Sequence, residues 1–308
     1  MLQPHRVLLV GERGVILYSP TDNGISREIS VPWEAKDFSQ KLTGAMRGKH
    51  EAQPVIVLLN DASHTYRKED NISPADCQKS LEKAFPDAFA RAWMETGRSG
   101  AGTGSYLLVA LPEGWRFSRL GDALSAAHAH VMGCGVLPIE STGLVNTLSK
   151  KLFAKEKKKS RWAALVGQHE TGGLRQVVTK DGLLALTRIT PVMDKEIKGE
   201  AWAANMVMEF KATQGYLKRF GLTDEDGLDL VVVCGTAEKK LIGPWDVPGT
   251  RMRCVTLAEA LKLLGCRAPA KEDKHFADAL HAAWTERSDA LTLPIQMPFL
   301  DTEGMVRH

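Results

Sequence analysis

Residues 172–191 read GGLRQVVTKDGLLALTRITP and contain the clearest structural signal in the chain. Two segments of strand-forming residues, RQVVTK and LLALTRI, flank the pair Asp181-Gly182. Because both residues of an Asp-Gly pair tolerate positive φ, this dipeptide favours a tight β-hairpin turn. The stretch therefore predicts two antiparallel strands.

The other apolar segments of the chain are of a different kind. VIVLLN, YLLVAL and DLVVVCG are short, continuous and rich in branched residues. Such segments are typical of buried parallel strands that alternate with helices. The chain thus combines antiparallel and parallel signals, and their order along the sequence decides the fold class.

Composition places the chain among ordinary globular proteins. It has 308 residues, 25% of them charged, and a formal net charge of +3. Its five cysteines are odd in number and lack C-x-x-C spacing, which favours a reducing compartment over a disulfide framework or a zinc site. The N-terminal apolar run RVLLV is too short for a signal peptide, and no stretch approaches the ~20 apolar residues of a membrane span. These observations predict a cytoplasmic protein.

The same order of elements occurs twice along the chain. In the first half, three short strands precede a helix, the strand VIVLLN and the strand SYLLVAL; in the second, RWAALVG and the two hairpin strands precede a long helix near 195–220 and the strands LDLVVVCG and RCVTL. A three-stranded meander followed by β-α-β crossovers is the ribonuclease-H-like arrangement, and two such domains in tandem form the actin-like ATPase fold. We therefore predict an α/β protein of that fold with mixed sheets. A doubly wound enzyme with one inserted hairpin is the competing interpretation.

The lysine-rich run KEKKKS (155–160) is charged and lacks apolar anchors, which favours a domain boundary nearby. We predict a first domain over 1–150, a second over 151–290, and a tail or tether over 291–308. The basic segment 150–161 is also compatible with contact to anionic lipid or nucleic acid. Because aromatic residues do not alternate with its lysines, we interpret it as a solvated linker and expect no nucleic-acid partner.

Four segments resemble bacterial actin-like assembly proteins, namely the PilM type of type IV pili and the cytoplasmic part of the GspL type of type II secretion systems. The hairpin GLRQVVTKDGLLALTRITP is the distinctive one. NDASHTYRKEDNIS (60–73), GCGVLPIESTGLVNTL (133–148) and VVVCG (231–235) are similar to family segments in the same order. The resemblance covers most of residues 5–265.

This resemblance implies a nucleotide cleft between the two halves, with ATP and Mg²⁺ as its cofactor. Actin-like ATPases place Asp, Gly and small hydroxyl residues at two turns, so that backbone N–H groups cradle phosphates and a carboxylate orients Mg²⁺. Here Glu12-Arg13 and Gln168-His169 replace that pattern, so we expect no hydrolysis and no assigned metal ligand. Glu12 and Glu170 are interpreted as exposed turn residues. The candidate nucleotide-binding positions are Gly11, Glu12, Gly14, Gly167, Glu170 and Gly235.

The remaining motifs do not indicate catalysis. The glycine-rich run at 97–104 precedes a strand and contains no lysine, which predicts a flexible loop and not a phosphate loop. The chain also lacks the local signatures of a serine hydrolase or a zinc protease. We therefore predict no catalytic residue.

The resemblance implies a non-catalytic or weakly nucleotide-binding scaffold at the cytoplasmic face of the bacterial inner membrane, acting through protein–protein binding. The implied partners are a bitopic inner-membrane assembly protein, whose short cytoplasmic segment is captured, the assembly ATPase, and a second copy of the chain. The alternative is an active actin-like ATPase or phosphotransferase with a nucleotide site between the domains. An unrelated α/β enzyme is a third possibility.

Overall fold

The computed structural model describes residues 4–22, 24–98, 102–190, 198–243, 248–267, 276–288 and 290–298. The chain divides into two units. The first consists of residues 1–19, 28–140 and 288–308, and the second of residues 20–27 and 141–287. Within the described residues, no helix is both long enough and apolar enough to cross a membrane.

The main sheet of the first unit has five strands in the order β3-β2-β1-β4-β8. β1 (Arg6–Gly11) is antiparallel to β2 (Gly14–Thr21) and parallel to β4 (Val55–Asn60), and β4 is parallel to β8 (Val131–Val136). β3 spans Gly24–Pro32. Every residue of β1 and β4 is buried, as expected for the central parallel strands of an α/β sheet.

A second sheet is inserted between β4 and β8 of the first unit. β5 (Thr65–Ile72), β6 (Ala90–Arg98) and β7 (Gly104–Leu111) form an antiparallel sheet in the order β5-β7-β6. The predicted loop at 97–104 connects β6 to β7, and its residues 99–101 lie outside the described residues. The sequence did not indicate β5 because most of its residues are charged or polar and it is largely exposed.

The described part of the first unit also contains four helices. They are α1 (Phe38–Met46), α2 (Pro74–Ala84), α3 (Trp115–Ala126) and the single turn α4 (Leu137–Glu140). α2 begins at the Ser73 cap and packs Cys77 and Leu81 against Tyr106 and Leu108 of the three-stranded sheet.

The sheet of the second unit repeats the order of the first, as β11-β10-β9-β12-β13. β9 (Trp162–His169) and β11 (Leu183–Thr190) are antiparallel to β10 (Gly173–Lys180), which lies between them. β12 (Leu228–Val233) is parallel to both β9 and β13 (Thr250–Val255). Each unit therefore has the predicted three-strand meander followed by parallel strands, and the predicted fold is confirmed.

Helices cover both faces of this sheet. α6 (Gly199–Arg219) presents residues at the 3–4 spacing of one buried face, and its Met206, Phe210 and Leu217 pack with Trp162 in the core. The opposite face contacts α5 (Thr142–Leu152). The other helices among the described residues of the second unit are α7 (Thr236–Leu241), α8 (Leu257–Leu263) and α9 (Asp278–Glu286).

The predicted hairpin joins β10 and β11 at Asp181-Gly182. These residues have φ values of 50° and 91°, and positive φ at both central residues is the type I′ geometry that matches the twist of the flanking strands. Lys180 pairs with Leu183 across the turn. The side-chain amide of Asn146 donates to the Gly182 carbonyl at 2.9 Å, which ties the turn to α5.

The chain crosses between units at positions different from those that the lysine run predicts. After residues 20–27, it enters the second unit again at Ser141 and leaves it after Arg287. The described part of the predicted tail, residues 291–298, belongs to the first unit, and Ile295 N–H donates to the Cys134 carbonyl at 2.7 Å. Leu291, Leu293, Ile295 and Met297 alternate with polar residues or proline and are buried. This part is thus a packed extended segment, whereas residues 299–308 lie outside the described residues.

The turn geometry predicts opposite effects for two Gly→Ala substitutions. Gly182→Ala places a β-carbon at φ +91° and should lower the free energy of unfolding by about 1 kcal/mol. Gly44→Ala lies within α1, where no atom crowds the new methyl group, and should raise it by roughly 0.5–1 kcal/mol. Equilibrium denaturant unfolding of both variants measures the difference. A neutral Gly182→Ala would contradict the type I′ turn.

Candidate functional site

The turn between β1 and β2 is the first segment that the sequence predicts to contact phosphate. Gly11 ends β1, and its carbonyl accepts a hydrogen bond from the indole Nε1 of Trp33 at 2.8 Å. At Gly14, a β-carbon would overlap the Val31 carbonyl oxygen and lie 2.7 Å from the Pro32 Cα. The space beside Gly14 is therefore filled by the chain's own backbone at the end of β3.

Glu12 lies in the same turn and is bonded at both carboxylate oxygens. One oxygen accepts from the Ala62 N–H at 2.7 Å and the other from the Arg116 guanidinium at 2.9 Å. The Glu12 side chain is 29% exposed, so it is a half-buried ion pair and not the exposed turn residue that the sequence predicts. It would have to leave Arg116 to ligate Mg²⁺.

The turn after β9 is the second predicted phosphate segment. Gly167 pairs with Val233 of β12, and a β-carbon at Gly167 would lie 2.6 Å from the Cβ of Ala277. The Ala277 N–H donates to the Gln168 carbonyl at 2.7 Å. Glycine is required here because the start of α9 lies directly against the strand.

Asp278, the first residue of α9, binds the backbone at this turn. Its carboxylate accepts from the Glu170 N–H at 2.8 Å, and its other oxygen lies 3.2 Å from His169 Nδ1. The Asp278 side chain is fully buried. Backbone N–H groups of a phosphate turn point at phosphate oxygens, whereas here one of them points at a carboxylate of the same chain.

The two remaining predicted positions lie close to this turn. The Glu170 carboxylate forms a bidentate ion pair with Arg27 at 2.6 and 2.7 Å and is 20% exposed, so it is not the exposed turn residue that the sequence predicts. Gly235 follows β12 and precedes α7, which places it at the same end of the sheet as Gly167 because the two strands are parallel.

The structure therefore brings the predicted residues together in two sets, one per unit. Gly11, Glu12 and Gly14 form the set in the first unit. Gly167, Glu170 and Gly235 form the set in the second. In both sets the carboxylate is neutralised by an arginine, and the space at Gly14 and Gly167 is filled by the chain. These residues do not fit a triphosphate with its magnesium ion. No group of three or more His, Cys, Asp or Glu side chains converges as a metal site among the described residues.

A buried polar cluster, formed by Ser141, His169, Asp278 and His281, adjoins the second turn. Ser141 Oγ lies 2.7 Å from His281 Nδ1, and the rings of the two histidines are 4.9 Å apart between centroids. All four residues are buried. A nucleophile must be reached by its substrate, so we interpret the cluster as structural. The cluster could not be predicted from the sequence because its members are far apart along the chain.

Burial holds the pKa of His281 well below its ordinary value of 6.5, and the charges of His169 and Arg175 lower it further. His281 is therefore neutral in the folded protein near neutral pH. In the unfolded chain it takes up a proton below about pH 6.5, so the unfolded state binds more protons and the folded state loses stability as the pH falls.

No known protein family matches the chain, and no curated protein matches it. Solved structures do match. The PilM–PilN type IV pilus biogenesis complex is similar with a TM-score of 0.59 and 12% identity over 92% of this chain and 98% of that chain. The fold is that of the actin-like ATPases.

Two further solved structures match the chain at lower similarity. The cytoplasmic domain of EpsL, an inner-membrane component of the type II secretion system of Vibrio cholerae, matches with a TM-score of 0.48 and 10% identity over 92% of this chain and 93% of that one. A protein of Bacteroides thetaiotaomicron with an actin-like ATPase fold matches with a TM-score of 0.43 and 8% identity over 78% and 85%. The predicted resemblance to actin-like assembly proteins is confirmed at the level of the fold.

The buried histidine predicts a pH-dependent stability. Between pH 6.5 and the lower pKa of folded His281, this residue should reduce the free energy of unfolding by about 1.4 kcal/mol per pH unit. His281→Asn keeps a polar atom near the Nδ1 position and should lose this part of the slope. His128→Asn, at an exposed position, should keep it. Denaturant unfolding at pH 7.5 and 5.5 compares the three proteins, and equal slopes would contradict a buried neutral His281.

Proposed function

We propose that the protein is a non-catalytic or weakly nucleotide-binding scaffold of a type IV pilus or type II secretion platform at the cytoplasmic face of the inner membrane. The observation that carries the proposal is the occupation of both predicted phosphate turns by the chain itself. Glu12 is bonded to Arg116, Glu170 to Arg27, and the Glu170 N–H to Asp278. Phosphoryl transfer depends on positioned charge, so this arrangement supports binding in place of catalysis.

The pilus or secretion context rests on two likenesses. The hairpin at residues 172–191 resembles the PilM and GspL types in sequence, and the fold is similar to that of a complex between PilM and PilN. By analogy, we propose that the chain captures a short cytoplasmic segment of a bitopic inner-membrane protein and that it also contacts the assembly ATPase.

β11 is the surface that suits such a segment. Among the described strands it pairs with β10 alone, and all eight of its residues are exposed or half-buried. It contains no lysine, proline or acidic residue, although free edge strands usually carry such residues to prevent pairing with other chains. An extended peptide can add to an edge of this kind through backbone hydrogen bonds.

Contacts with α6 hold β11 in place. The Arg188 guanidinium forms an ion pair with Glu209 at 2.7 Å, and the Thr190 hydroxyl donates to the same carboxylate at 3.0 Å. Ala185 and Leu186 pack against the hydrophobic core of the second unit. A strand that is already ordered in this way loses little conformational entropy on binding.

Site-specific photo-crosslinking tests the β11 edge. A benzophenone amino acid at Leu183, which is 41% exposed, should give an adduct with an inner-membrane protein in native cells. The same group at Lys79, an exposed residue of α2, is the control and should not. Equal adducts at both positions, or none at Leu183, would contradict the edge assignment. Adducts with no envelope protein, together with turnover of a soluble metabolite, would favour an unrelated enzyme.

The occupied turns predict that ATP turnover is absent. The purified protein should hydrolyse Mg-ATP no faster than buffer does, and Glu12→Gln and Glu170→Gln should leave that rate unchanged. A phosphate-release assay with all three proteins measures it. Hydrolysis that requires magnesium and disappears in either variant would support the alternative of an active ATPase or phosphotransferase, whereas nucleotide binding without turnover agrees with the scaffold.

A further inference from the structure

The basic segment, residues 150–161, has a large excess of basic over acidic residues. Its sequence, KKLFAKEKKKSR, contains seven basic residues and one acidic residue, a net charge of +6. The whole chain has a net charge of +3, so the other residues together have a net charge of −3. The net positive charge of the protein is thus due to this one short stretch.

This segment is folded and lies within the second unit, so it is not the solvated linker between domains that the sequence predicts. α5 continues to Leu152, and the ring of Phe153 then lies 5.2 Å from the guanidinium carbons of both Arg251 and Arg253 of β13. Arg251 also donates to the Lys158 carbonyl at 2.7 Å. The segment is therefore attached to the edge of the second sheet.

The carboxylates near the segment are all bonded to arginines. Glu156 accepts from Arg253 at 3.2 Å. Buried Asp229 binds Arg251 at 2.5 Å, and Asp181 binds Arg161 at 2.6 Å. None of these carboxylates pairs with a lysine of the segment in the described part of the chain.

The lysines instead point outwards. Lys151 donates to the Leu263 carbonyl at 2.5 Å, whereas the other five form no ion pair with any residue that the structure describes. Those five are exposed, and they are Lys150, Lys155, Lys157, Lys158 and Lys159. Lys150 and Lys159 also line a cavity of 640 Å³, a volume typical of small-ligand sites. Five exposed lysines that pair with no described carboxylate thus follow one another along the segment, and two of them border a recess large enough for a phosphate-bearing group.

We propose that the basic segment binds the anionic headgroups of a lipid bilayer directly. A lysine near an anionic membrane surface contributes on the order of 1 kcal/mol, and clusters of four to eight such residues are typical of lipid-binding segments. Nucleic acid is less suited, because the one aromatic ring of the segment, Phe153, is buried between arginines and cannot stack on bases. This contact goes beyond the proposed function because it requires no protein partner.

Co-sedimentation of the purified full chain with vesicles tests the proposal. The vesicles contain phosphatidylcholine and phosphatidylglycerol at about two to one, and pure phosphatidylcholine serves as the uncharged comparison. The protein should bind the anionic vesicles, should not bind the neutral ones, and should be released as salt is raised because screening shortens the range of the attraction. Binding to neutral vesicles, or binding unaffected by salt, would overturn the proposal.

Two variants with the same net charge distinguish an effect of the segment from an effect of the overall charge of the protein. The test variant removes four lysines of the segment: Lys155→Gln, Lys157→Gln, Lys158→Gln and Lys159→Gln. The control removes four exposed lysines of the first unit: Lys36→Gln, Lys49→Gln, Lys79→Gln and Lys83→Gln. We expect vesicle affinity to fall at least about tenfold in the test variant and less than about twofold in the control. Equal losses would overturn the proposal.

Competition experiments identify the ligand. A double-stranded DNA oligonucleotide that binds more tightly than the anionic vesicles, with the same lysine dependence, would assign the segment to nucleic acid instead. Inorganic phosphate should displace vesicles no better than sodium chloride of equal ionic strength; stronger displacement would assign the recess to a soluble phosphate. Because no other protein is present, these results are independent of the crosslinking at Leu183.

Discussion

The central strand of each unit, β1 in the first and β9 in the second, pairs antiparallel on one side and parallel on the other. The antiparallel neighbour follows after a tight turn, whereas the parallel neighbour requires a helical crossover. In the first unit, β2 is the antiparallel neighbour of β1 and β4 is the parallel one. In the second unit, β10 and β12 have the same relations to β9. The turn that leaves the central strand consequently lies at the carboxyl end of the parallel strands, the end at which open α/β sheets bind ligands.

At both of these turns, groups that could contact a ligand are bonded within the chain. Arg116 and Arg27 neutralise the two glutamates, and the Asp278 carboxylate accepts a backbone N–H. A buried carboxylate is stable only when its oxygens are hydrogen-bonded, so Asp278 and the turn after β9 depend on each other. The fold is thus actin-like, while the carboxylates and one backbone N–H at these turns are bonded within the chain.

The hairpin and the repeated order of strands could be predicted because their signals are local. Asp181-Gly182 determines a turn by itself, and continuous apolar runs mark the central strands. β5 was not predicted because it is polar and exposed, and the packed segment 291–298 was not predicted because two prolines interrupt its alternation. The partners of Glu12 and Glu170 lie 104 and 143 residues away in sequence. Rules based on residue spacing do not predict contacts at such separations. For the same reason the sequence assigned Gly14 and Gly167 to a ligand, whereas each is required by a neighbouring part of the chain.

The packed segment 291–298 also determines the order in which the units can be completed during synthesis. Thr292 and Leu293 donate their N–H groups to the Glu140 carboxylate at 2.6 and 3.0 Å, and Ile295 bonds to β8. The first unit thus lacks this hydrogen-bonded segment until residues 291–298 have left the ribosome. All residues of the second unit, up to Arg287, are made before that segment. The unit that begins later in the sequence is therefore the first to have all of its residues available for folding, and until then Glu140 has neither of these two N–H donors.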